Sequence, residues 1–325
     1  MGARSDWLDR QRADLWDRDV LRFIPDVVLP DPPPGRATTG AGPRVAFCGF
    51  PSDYSLAFLY ALLDLDLQTV AIITSPGAHP VITGTNALSQ IADHLGIPLL
   101  RLWRVNDEHA RLELSGLALD AVVMASFDQI VGGRTLAIPA QGWLNAHPSA
   151  LPEYRGPEPV YWTIADGAER AGITLHRAVP KFDAGPVLAQ RTLQVAPDET
   201  AGTLTRRLAE LGAGALGEAV ARQLAGEEGE ALDLSAGSYR PSVGHRLLDT
   251  AADAGTAERM VRAGEPNMPA WTRLPEGPVY VHRARPAVNG TGALLHFADG
   301  DLELLETSPA CGCHHDTVEC PHREG

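Results

Sequence analysis

An amide, an imidazole and a carboxylate follow one another in this sequence at spacings that let them meet at one point. Asn145 and His147 lie two residues apart, at the end of a short apolar segment that is typical of a β-strand. Side chains at positions i and i+2 of a strand project from the same face, so both should reach one spot. Asp183 follows a second strand-like segment, shortly before Gly185. Together the three groups could polarise a carbonyl and collect a proton.

This combination suits acyl transfer to an amine without a covalent nucleophile. When an amine attacks, the carbonyl oxygen becomes an oxyanion, to which the Asn145 amide and a ring N–H of His147 can donate. The amine becomes cationic, and Asp183 can accept its proton directly or through one water. Asp183 can also stabilise an imidazolium at His147. We therefore predict that Asn145, His147 and Asp183 are the catalytic residues.

Two further residues are predicted to support this group. His176 shares a strand face with Thr174, from where it can hold Asp183 by a hydrogen bond. A purely structural strand histidine is the alternative interpretation. Arg155 follows a loop that prolines shape, and we predict a supporting position for it behind the catalytic residues. The prolines of this loop are Pro148, Pro152 and Pro157.

This region resembles the formyltransferase family that uses 10-formyltetrahydrofolate, which includes methionyl-tRNA formyltransferase, glycinamide ribonucleotide transformylase and the sugar N-formyltransferases. The family pattern is Asn-x-His-Pro-Ser-x-Leu-Pro-x-x-Arg-Gly, then a Thr-Gly-x-Thr-x-like strand, then Asp-x-Gly. Its positions are filled here by Asn145, His147, Pro148, Ser149, Leu151, Pro152, Arg155, Gly156, the segment 172–176, and Asp183-Ala184-Gly185. The resemblance covers roughly residues 44 to 225 as a catalytic domain.

The resemblance implies 10-formyltetrahydrofolate as the formyl donor. In this family the folate is held largely by backbone groups of a strand end and of the loop that carries the aspartate. The corresponding positions, which we predict to bind the cofactor, are Phe127, Asp128, Gln129, Ile130 and Gly185. The stretch 126–129 departs from the small-aromatic-glycine sequence that is usual in the tRNA enzymes.

Alternating apolar and amphipathic segments predict the fold from Arg44 onward. Apolar runs that are typical of buried parallel strands occur at 45–50, 69–74, 97–102 and 119–127. Helical segments separate them, which predicts an α/β, doubly wound Rossmann-like sheet with its site at the carboxyl ends of the strands. No Gly-x-Gly-x-x-Gly pattern follows Gly49, so a dinucleotide fingerprint is excluded.

Four regions follow from composition and patterning. Residues 1–43 are predicted to be a helical extension and a proline-rich linker, and residues 44–228 the formyltransferase domain. Residues 238–310 resemble the small carboxyl-terminal domain of methionyl-tRNA formyltransferases, with short strands and Gly-rich turns that suit an OB-like β-barrel. Residues 311–325 form a tail rich in cysteine and histidine.

The tail raises the question of zinc. It places six potential ligands within twelve residues: Cys311, Cys313, His314, His315, Cys320 and His322. Zinc prefers four such ligands in a tetrahedron, and Cys311, Cys313, Cys320 and His322 are the tentative set. The spacing matches no standard zinc finger, so a redox-sensitive tail without metal stays an alternative.

Composition suits an enzyme without membrane attachment. The chain has 325 residues, 44% of them hydrophobic and 21% charged, which is enough for two compact domains. No apolar run approaches the ~20 residues of a membrane span, and the first residues, MGARSDWLDR, are too polar for a signal peptide. We expect a cytoplasmic protein, and its oligomeric state stays open.

The net charge and the positions of the basic residues help to predict which molecule accepts the formyl group. The formal net charge is −14, and no Lys or Arg occurs between Thr69 and Leu100, where the tRNA enzymes carry an enlarged basic loop. Phosphate neutralisation supplies most of the affinity for a polyanion. We therefore predict a small or carrier-bound amine or hydroxylamine as acceptor, with methionyl-tRNA second. A 10-formyltetrahydrofolate hydrolase and a non-catalytic folate- or partner-binding relative are further alternatives.

Overall fold

A computed structural model describes residues 6–22, 40–76, 87–287 and 292–310 of the chain. The described residues divide into two compact units. The first comprises the chain up to Arg155 together with Gly172–Thr192 and Thr205–Ser238, and the second comprises Gly156–Ala171, Leu193–Leu204 and the chain from Tyr239 onward.

Seven strands of the described chain form one sheet in the order β3-β2-β1-β4-β5-β6-β7. They are β1 (Arg44–Gly49), β2 (Gln68–Thr74), β3 (Leu99–Arg101), β4 (Ala121–Ala125), β5 (Trp143–His147), β6 (Arg170–Arg177) and β7 (Val187–Gln194). The pairings from β3 through β5 are parallel, whereas β6 runs antiparallel to β5. This mixed sheet with interspersed helices is Rossmann-like, as the sequence predicts.

The helices alternate with these strands. They are α1 (Asp6–Trp16), α2 (Asp53–Leu63), α3 (Ala87–Leu95), α4 (Glu108–Gly116), α5 (Gly133–Leu136), α6 (Pro159–Ala165), α7 (Ala201–Leu224) and α8 (Ala254–Gly264). Side-chain caps fix where α2 and α4 begin: the Ser52 hydroxyl accepts from the Ser55 N–H, and the Asp107 carboxylate from the Ala110 N–H.

The middle of the sheet is the core of the first unit. Strands β1 and β4 are buried nearly throughout, which is why their sequences are continuously apolar. The strand order reverses direction between β1 and β4, and ligands of such sheets bind in the crevice at the carboxyl ends near this reversal. The carboxyl end of β5, the neighbour of β4, carries the motif residues Asn145 and His147.

The amino-terminal helix belongs to the first unit. Helix α1 buries Trp7, Leu8 and Leu15, in agreement with the apolar face that the sequence predicts. Arg206 of α7 donates from Nε to the carbonyl of Arg18, 2.7 Å away, just beyond this helix. The predicted linker largely falls at residues 23–39, outside the described residues.

The second unit is built on a separate sheet. Its strands are β8 (Ala270–Leu274), β9 (Gly277–Pro286), β10 (Ala293–Phe297) and β11 (Gly300–Pro309), all antiparallel in the order β10-β11-β9-β8. Helix α8 and a short 3₁₀ helix, Leu248–Thr250, contribute to its core. The buried residues of this core are Leu248, Ala257, Val261, Ala270, Val281, Leu302 and Leu304. Closure of the sheet into an OB-like barrel stays a prediction.

Each of the two units is built from three separate chain segments, whereas each predicted region is one continuous segment. Segments 156–171 and 193–204 lie inside the predicted 44–228 domain, yet they cluster with the second unit. Helix α6 lies in the first of these segments, and it packs on α8. Contacts of this kind join residues far apart in sequence, so no local sequence pattern predicts them.

The described residues include neither a membrane-spanning helix nor a metal-binding cluster. None of the described helices has the length and apolar character needed to cross a membrane. Within the described ranges, no cluster of three or more His, Cys, Asp or Glu side chains could hold a metal ion. The tentative zinc ligands of the tail lie outside the described residues.

A close approach at the end of β1 gives a stability prediction. A Cβ at Gly49 would lie 2.4 Å from the carbonyl oxygen of Ala125 on β4, so Gly49→Ala must displace backbone. We expect a loss of about 1–3 kcal/mol in the free energy of unfolding, measured by urea denaturation. Gly214→Ala is the control, since a Cβ there meets nothing within 4 Å in helix α7 and should stabilise by up to about 1 kcal/mol. Equal stability of the two variants would contradict this account.

Candidate active site

The paired strands β5 and β6 bring the motif side chains together. Asn145 lies directly opposite His176, and His147 lies opposite Thr174. Directly opposed residues of an antiparallel pair have neighbouring side chains, so the register itself places the amide beside the second imidazole. His147 and His176 are buried, with 5% and 2% of their surfaces exposed.

Asp183 completes the cluster. Its Oδ1 lies 3.4 Å from Asn145 Nδ2, 3.5 Å from His147 Nδ1 and 3.7 Å from His176 Nε2. The residue is 8% exposed and has a φ of 44°, in the left-handed region that Asp tolerates better than most residues. The convergence that the sequence predicts for Asn145, His147 and Asp183 is therefore present in the structure.

Backbone carbonyls orient both imidazoles. His176 lies 3.0 Å from the carbonyl of Arg177 through Nδ1, so Nδ1 carries a proton and Nε2 accepts from Asn145 Nδ2 at 3.1 Å. His147 donates through Nε2 to the carbonyl of Tyr154 at 3.0 Å. Its other nitrogen, Nδ1, consequently faces Asp183, and it bears a lone pair when the ring is neutral.

Burial controls the charge of His147. Desolvation lowers its pKa from the ordinary value of 6.5, because the charged imidazolium is disfavoured in a buried site. The Asp183 carboxylate opposes this shift, the His176 ring adds to it, and the Tyr154 carbonyl again opposes it. The net lowering of the pKa keeps the ring neutral near neutral pH.

The loop after β5 is held by the side chain of Thr174. Its hydroxyl donates to the Ser149 carbonyl at 2.7 Å and accepts from the Leu151 N–H at 3.1 Å. Gln190 of β7 donates to the same hydroxyl at 2.9 Å and to the Leu151 carbonyl at 2.9 Å. On the other side of β5, the Tyr54 hydroxyl donates to the Ala146 carbonyl at 3.2 Å.

Gly185 is required by a close backbone approach. A Cβ there would lie 1.7 Å from the carbonyl oxygen of Arg177, at the end of β6. Only glycine allows the loop that carries Asp183 to turn back so tightly on the strand. The motif glycine thus positions the carboxylate.

The predicted cofactor segment follows β4, and its side chains differ in their surroundings. Phe127 packs against the core of the first unit. The Gln129 amide is bonded to the Leu102 carbonyl at 2.9 Å and to the Val105 N–H at 2.8 Å, in the loop after β3. Ile130 is 59% exposed. The side chains of Phe127 and Gln129 therefore pack or form hydrogen bonds within the first unit.

Asp128 is the one acidic side chain of this segment. Its carboxylate accepts from the Ser75 hydroxyl, 3.1 Å away, just beyond β2. Burial raises the pKa of Asp128, and the hydrogen bonds from Ser75 and its own backbone partly oppose the shift. A polar pair thus lies at the carboxyl ends of β2 and β4.

Arg155 contacts the chain far from the motif. Its backbone N–H donates to the carbonyl of Ser238 at 3.0 Å. Among the described residues, no hydrogen bond joins its guanidinium to Asn145, His147 or Asp183. The supporting position predicted for Arg155 stays a prediction. Sequence reasoning missed Ser238, since nothing in its local sequence marks it.

Known proteins similar to this chain share its activity class. The model of the formyl transferase family matches residues 67–220. The methionyl-tRNA formyltransferase of Roseiflexus castenholzii is 34% identical over 290 residues, covering 83% of this chain and 92% of that enzyme. The methionyl-tRNA formyltransferase of Mycobacterium tuberculosis is 34% identical over 253 residues, covering 74% of this chain and 81% of the enzyme.

Solved structures with the same fold are more distant in sequence. A sugar N-formyltransferase from a Shewanella species superposes with a TM-score of 0.58 at 18% identity, over 73% of this chain and 96% of that one. An N-formyltransferase from Helicobacter canadensis, in complex with folinic acid and dTDP-3-aminofucose, gives 0.60 at 17% identity, over 81% of this chain and 99% of that one. At such identities the likeness establishes the fold alone.

The electrostatics of the site predict how His147 titrates. We expect its midpoint, followed by NMR of the ring nitrogens, below 6.5 in the native protein. Asp183→Asn should lower the midpoint further, because the substitution removes the negative charge that favours the imidazolium. Asp233→Asn removes an exposed carboxylate elsewhere in the first unit and should leave the midpoint unchanged. A higher midpoint in Asp183→Asn would refute this assignment.

The same lowered pKa predicts how stability depends on pH. Since the unfolded chain binds the proton of His147 before the native chain does, its contribution is fully present above pH 6.5 and is lost as pH falls from there toward the native pKa. We expect the free energy of unfolding of His147→Asn to fall less steeply than that of the native protein between pH about 7 and about 5. Identical slopes in urea denaturation would contradict a buried neutral His147.

Proposed function

The chain belongs to the formyltransferase family, and on that premise we propose that it moves the formyl group of 10-formyltetrahydrofolate to the amino group of methionyl-tRNA. The observation that carries this acceptor is the extent of the likeness. Three methionyl-tRNA formyltransferases are 31% to 34% identical to the chain and are covered over 88% to 93% of their length. Since those alignments span 82% or 83% of this chain, they reach into both units.

The folate donor is supported by the chemistry of the site. Since the side chains of Phe127 and Gln129 are engaged within the protein, the segment 127–130 can contribute backbone groups, and the Gly185 turn positions Asp183. One solved relative by fold, HypX from Aquifex aeolicus, is in complex with tetrahydrofolic acid, and the Helicobacter enzyme is in complex with folinic acid. We assign Phe127, Asp128, Gln129 and Ile130 to the donor, chiefly through their backbone.

Asn145 stabilises the oxyanion in this proposal. One N–H of its amide is bonded to His176 Nε2 at 3.1 Å, which fixes the amide plane. The second N–H makes only a long contact of 3.4 Å to Asp183, so it can donate to the oxygen of a formyl group placed in the same plane. A preorganised donor of this kind typically contributes about 3 kcal/mol to the stabilisation of the transition state.

His147 carries the proton. Its Nε2–H is committed to the Tyr154 carbonyl, so the neutral ring presents the Nδ1 lone pair beside Asp183. The amine attacks the formyl carbon, and Nδ1 accepts the proton that the resulting ammonium loses. The imidazolium, stabilised by Asp183, then returns the proton to the nitrogen of the departing tetrahydrofolate as the carbon–nitrogen bond breaks. This assignment revises the sequence prediction, which gave the proton to Asp183 and an oxyanion contact to His147.

A small amine is the second candidate acceptor, and the charges of the second unit favour it. Several arginines there are paired with carboxylates within the unit and offer little net positive charge to phosphates. These pairs are Arg240–Asp166, Arg262–Glu258, Arg285–Glu303 and Arg283–Glu306. The charge pattern of the sequence favours a small amine over methionyl-tRNA as the acceptor. The sequence similarity to the tRNA enzymes favours methionyl-tRNA instead.

The catalytic assignment is tested by three single substitutions. Asn145→Ala, His147→Ala and Asp183→Asn should each lower kcat by at least about 100-fold, since Asn145 and His147 act at the reacting atoms and Asp183 stabilises the imidazolium. Far-ultraviolet circular dichroism and urea midpoints check that the fold survives. His109→Ala, at a histidine whose side chain is 80% exposed, should leave kcat unchanged. Turnover by Asp183→Asn close to that of the native protein would remove Asp183 from the mechanism.

The acceptor is tested by direct competition. Purified protein is given 10-formyltetrahydrofolate with initiator methionyl-tRNA, an amino-sugar nucleotide, hydroxyornithine or no acceptor, at ~50 mM salt where electrostatic association is strong. We expect N-formylmethionyl-tRNA, and binding that weakens steeply as salt rises. Formylation of a small amine without tRNA binding would establish the second candidate. Release of formate without any acceptor would indicate a hydrolase.

A further inference from the structure

Ser238 lies far along the chain from the catalytic motif, yet it contacts the loop that orients His147. We infer that Ser238 is a positioning residue, which holds loop 152–155 so that the Tyr154 carbonyl fixes the ring of His147 with Nδ1 toward Asp183. This inference rests on the proposed function only for its kinetic consequence. Its structural content is a hydrogen-bonding chain within the first unit.

The backbone of Ser238 binds both ends of the loop. Its N–H donates to the Pro152 carbonyl at 3.2 Å, and its carbonyl accepts from the Arg155 N–H at 3.0 Å. This two-way pairing resembles one rung of a β-ladder, although neither segment belongs to a strand. It fixes the distance between the two segments.

The side chain of Ser238 binds the residues between those ends. Its hydroxyl accepts from the Tyr154 N–H at 2.8 Å and donates to Glu153 Oε2 at 3.0 Å. One serine therefore makes four hydrogen bonds to four successive residues of the loop. A hydroxyl is needed, because only a group that donates and accepts at once can serve both partners.

Gly237 allows the approach. A Cβ at that position would lie 2.1 Å from the carbonyl oxygen of Pro152 and 2.5 Å from its side chain. No larger residue fits without moving the loop. The Gly237-Ser238 pair therefore combines a close approach with the hydrogen bonds that exploit it.

The loop needs this external support because Tyr154 adopts an unfavourable backbone conformation. Its φ is 52°, in the left-handed region that residues with a Cβ rarely occupy. In this conformation its N–H meets the Ser238 hydroxyl, and its carbonyl lies 3.0 Å from His147 Nε2. The internal bond from Ser149 Oγ to the Glu153 carbonyl, 2.7 Å long, braces the preceding turn.

The position of the Tyr154 carbonyl determines which nitrogen of the His147 ring can accept a proton. While the Tyr154 carbonyl is in place, the neutral His147 ring keeps its proton on Nε2 and its lone pair on Nδ1. If that carbonyl moves, the proton is free to occupy Nδ1, where it would donate to Asp183. The ring could then no longer accept a proton from the attacking amine at Nδ1. Ser238 thus selects the reactive tautomer without touching the reactants.

The experiment compares Ser238→Ala with Ser238→Thr and Ser235→Ala in the full chain. Ser235 is the matched control, since its hydroxyl is bonded only to Asp233 in the same connecting segment. The first measurement is the ring-nitrogen NMR spectrum of His147, which reports the tautomer without any need for activity. The second is the pH profile of kcat, together with KM for the folate donor.

We expect Ser238→Ala to shift part of the His147 population to the Nδ1–H tautomer. Its kcat should fall by at least about tenfold, with little change in KM for the donor, because general base catalysis is impaired while binding is retained. Ser238→Thr, which keeps a hydroxyl, should restore both readouts toward the native values. Ser235→Ala should match the native protein in both.

A second variant covers the case in which a water molecule replaces the hydroxyl that Ser238→Ala removes. Gly237→Ala should displace Pro152 and shift the tautomer in the same direction, whereas Gly214→Ala, where a Cβ meets nothing within 4 Å, should not. A native tautomer population in both Ser238→Ala and Gly237→Ala would overturn the inference. If the native protein formylates no acceptor, the proposed function fails, but the NMR comparison still decides the role of Ser238.

Discussion

One hydrogen bond, from His147 Nε2 to the Tyr154 carbonyl, determines what the rest of the site can do. A neutral imidazole has a single ring proton, so committing it to one nitrogen leaves a lone pair on the other. His176 is fixed in the opposite sense, with Nδ1 bonded to a carbonyl and Nε2 accepting from Asn145. Both rings are oriented by backbone carbonyls, which do not titrate. The bonds of both rings to these carbonyls therefore persist whether the histidines are neutral or charged.

The antiparallel strand β6 makes this arrangement possible. An extension of the parallel sheet by another parallel strand would need a crossover, and the register that sets Asn145 against His176 would be lost. The same strand places Thr174 where its hydroxyl braces the loop that leads to Tyr154. A single strand thus orients the amide directly and one imidazole indirectly, and the Gly185 turn adds the carboxylate.

The sequence predicted the parts of the site that depend on short spacing. Strand periodicity placed Asn145 and His147 on one face and His176 on the face of Thr174, and a second strand-like segment led to Asp183. What it could not predict were contacts between loops distant in sequence, such as the side-chain bonds of Gln129 and the four bonds of Ser238. These depend on where chain segments meet in three dimensions and leave no periodic signal. The division of the chain into interleaved units escaped prediction for the same reason.

The net charge of the whole chain does not decide whether it can bind a polyanion such as tRNA. Net charge is a property of the whole chain, whereas recognition of a polyanion needs only a few cations in the right places. In the second unit, Arg246 lies over the ring of Trp162, and Arg273 lies over that of Trp271. Stacking of this kind holds a guanidinium at a defined position while its N–H groups can still donate in the ring plane. An acidic protein can therefore present ordered arginine side chains locally. For this reason the net charge of −14 is weaker evidence on the acceptor than a sequence similarity that extends through both units.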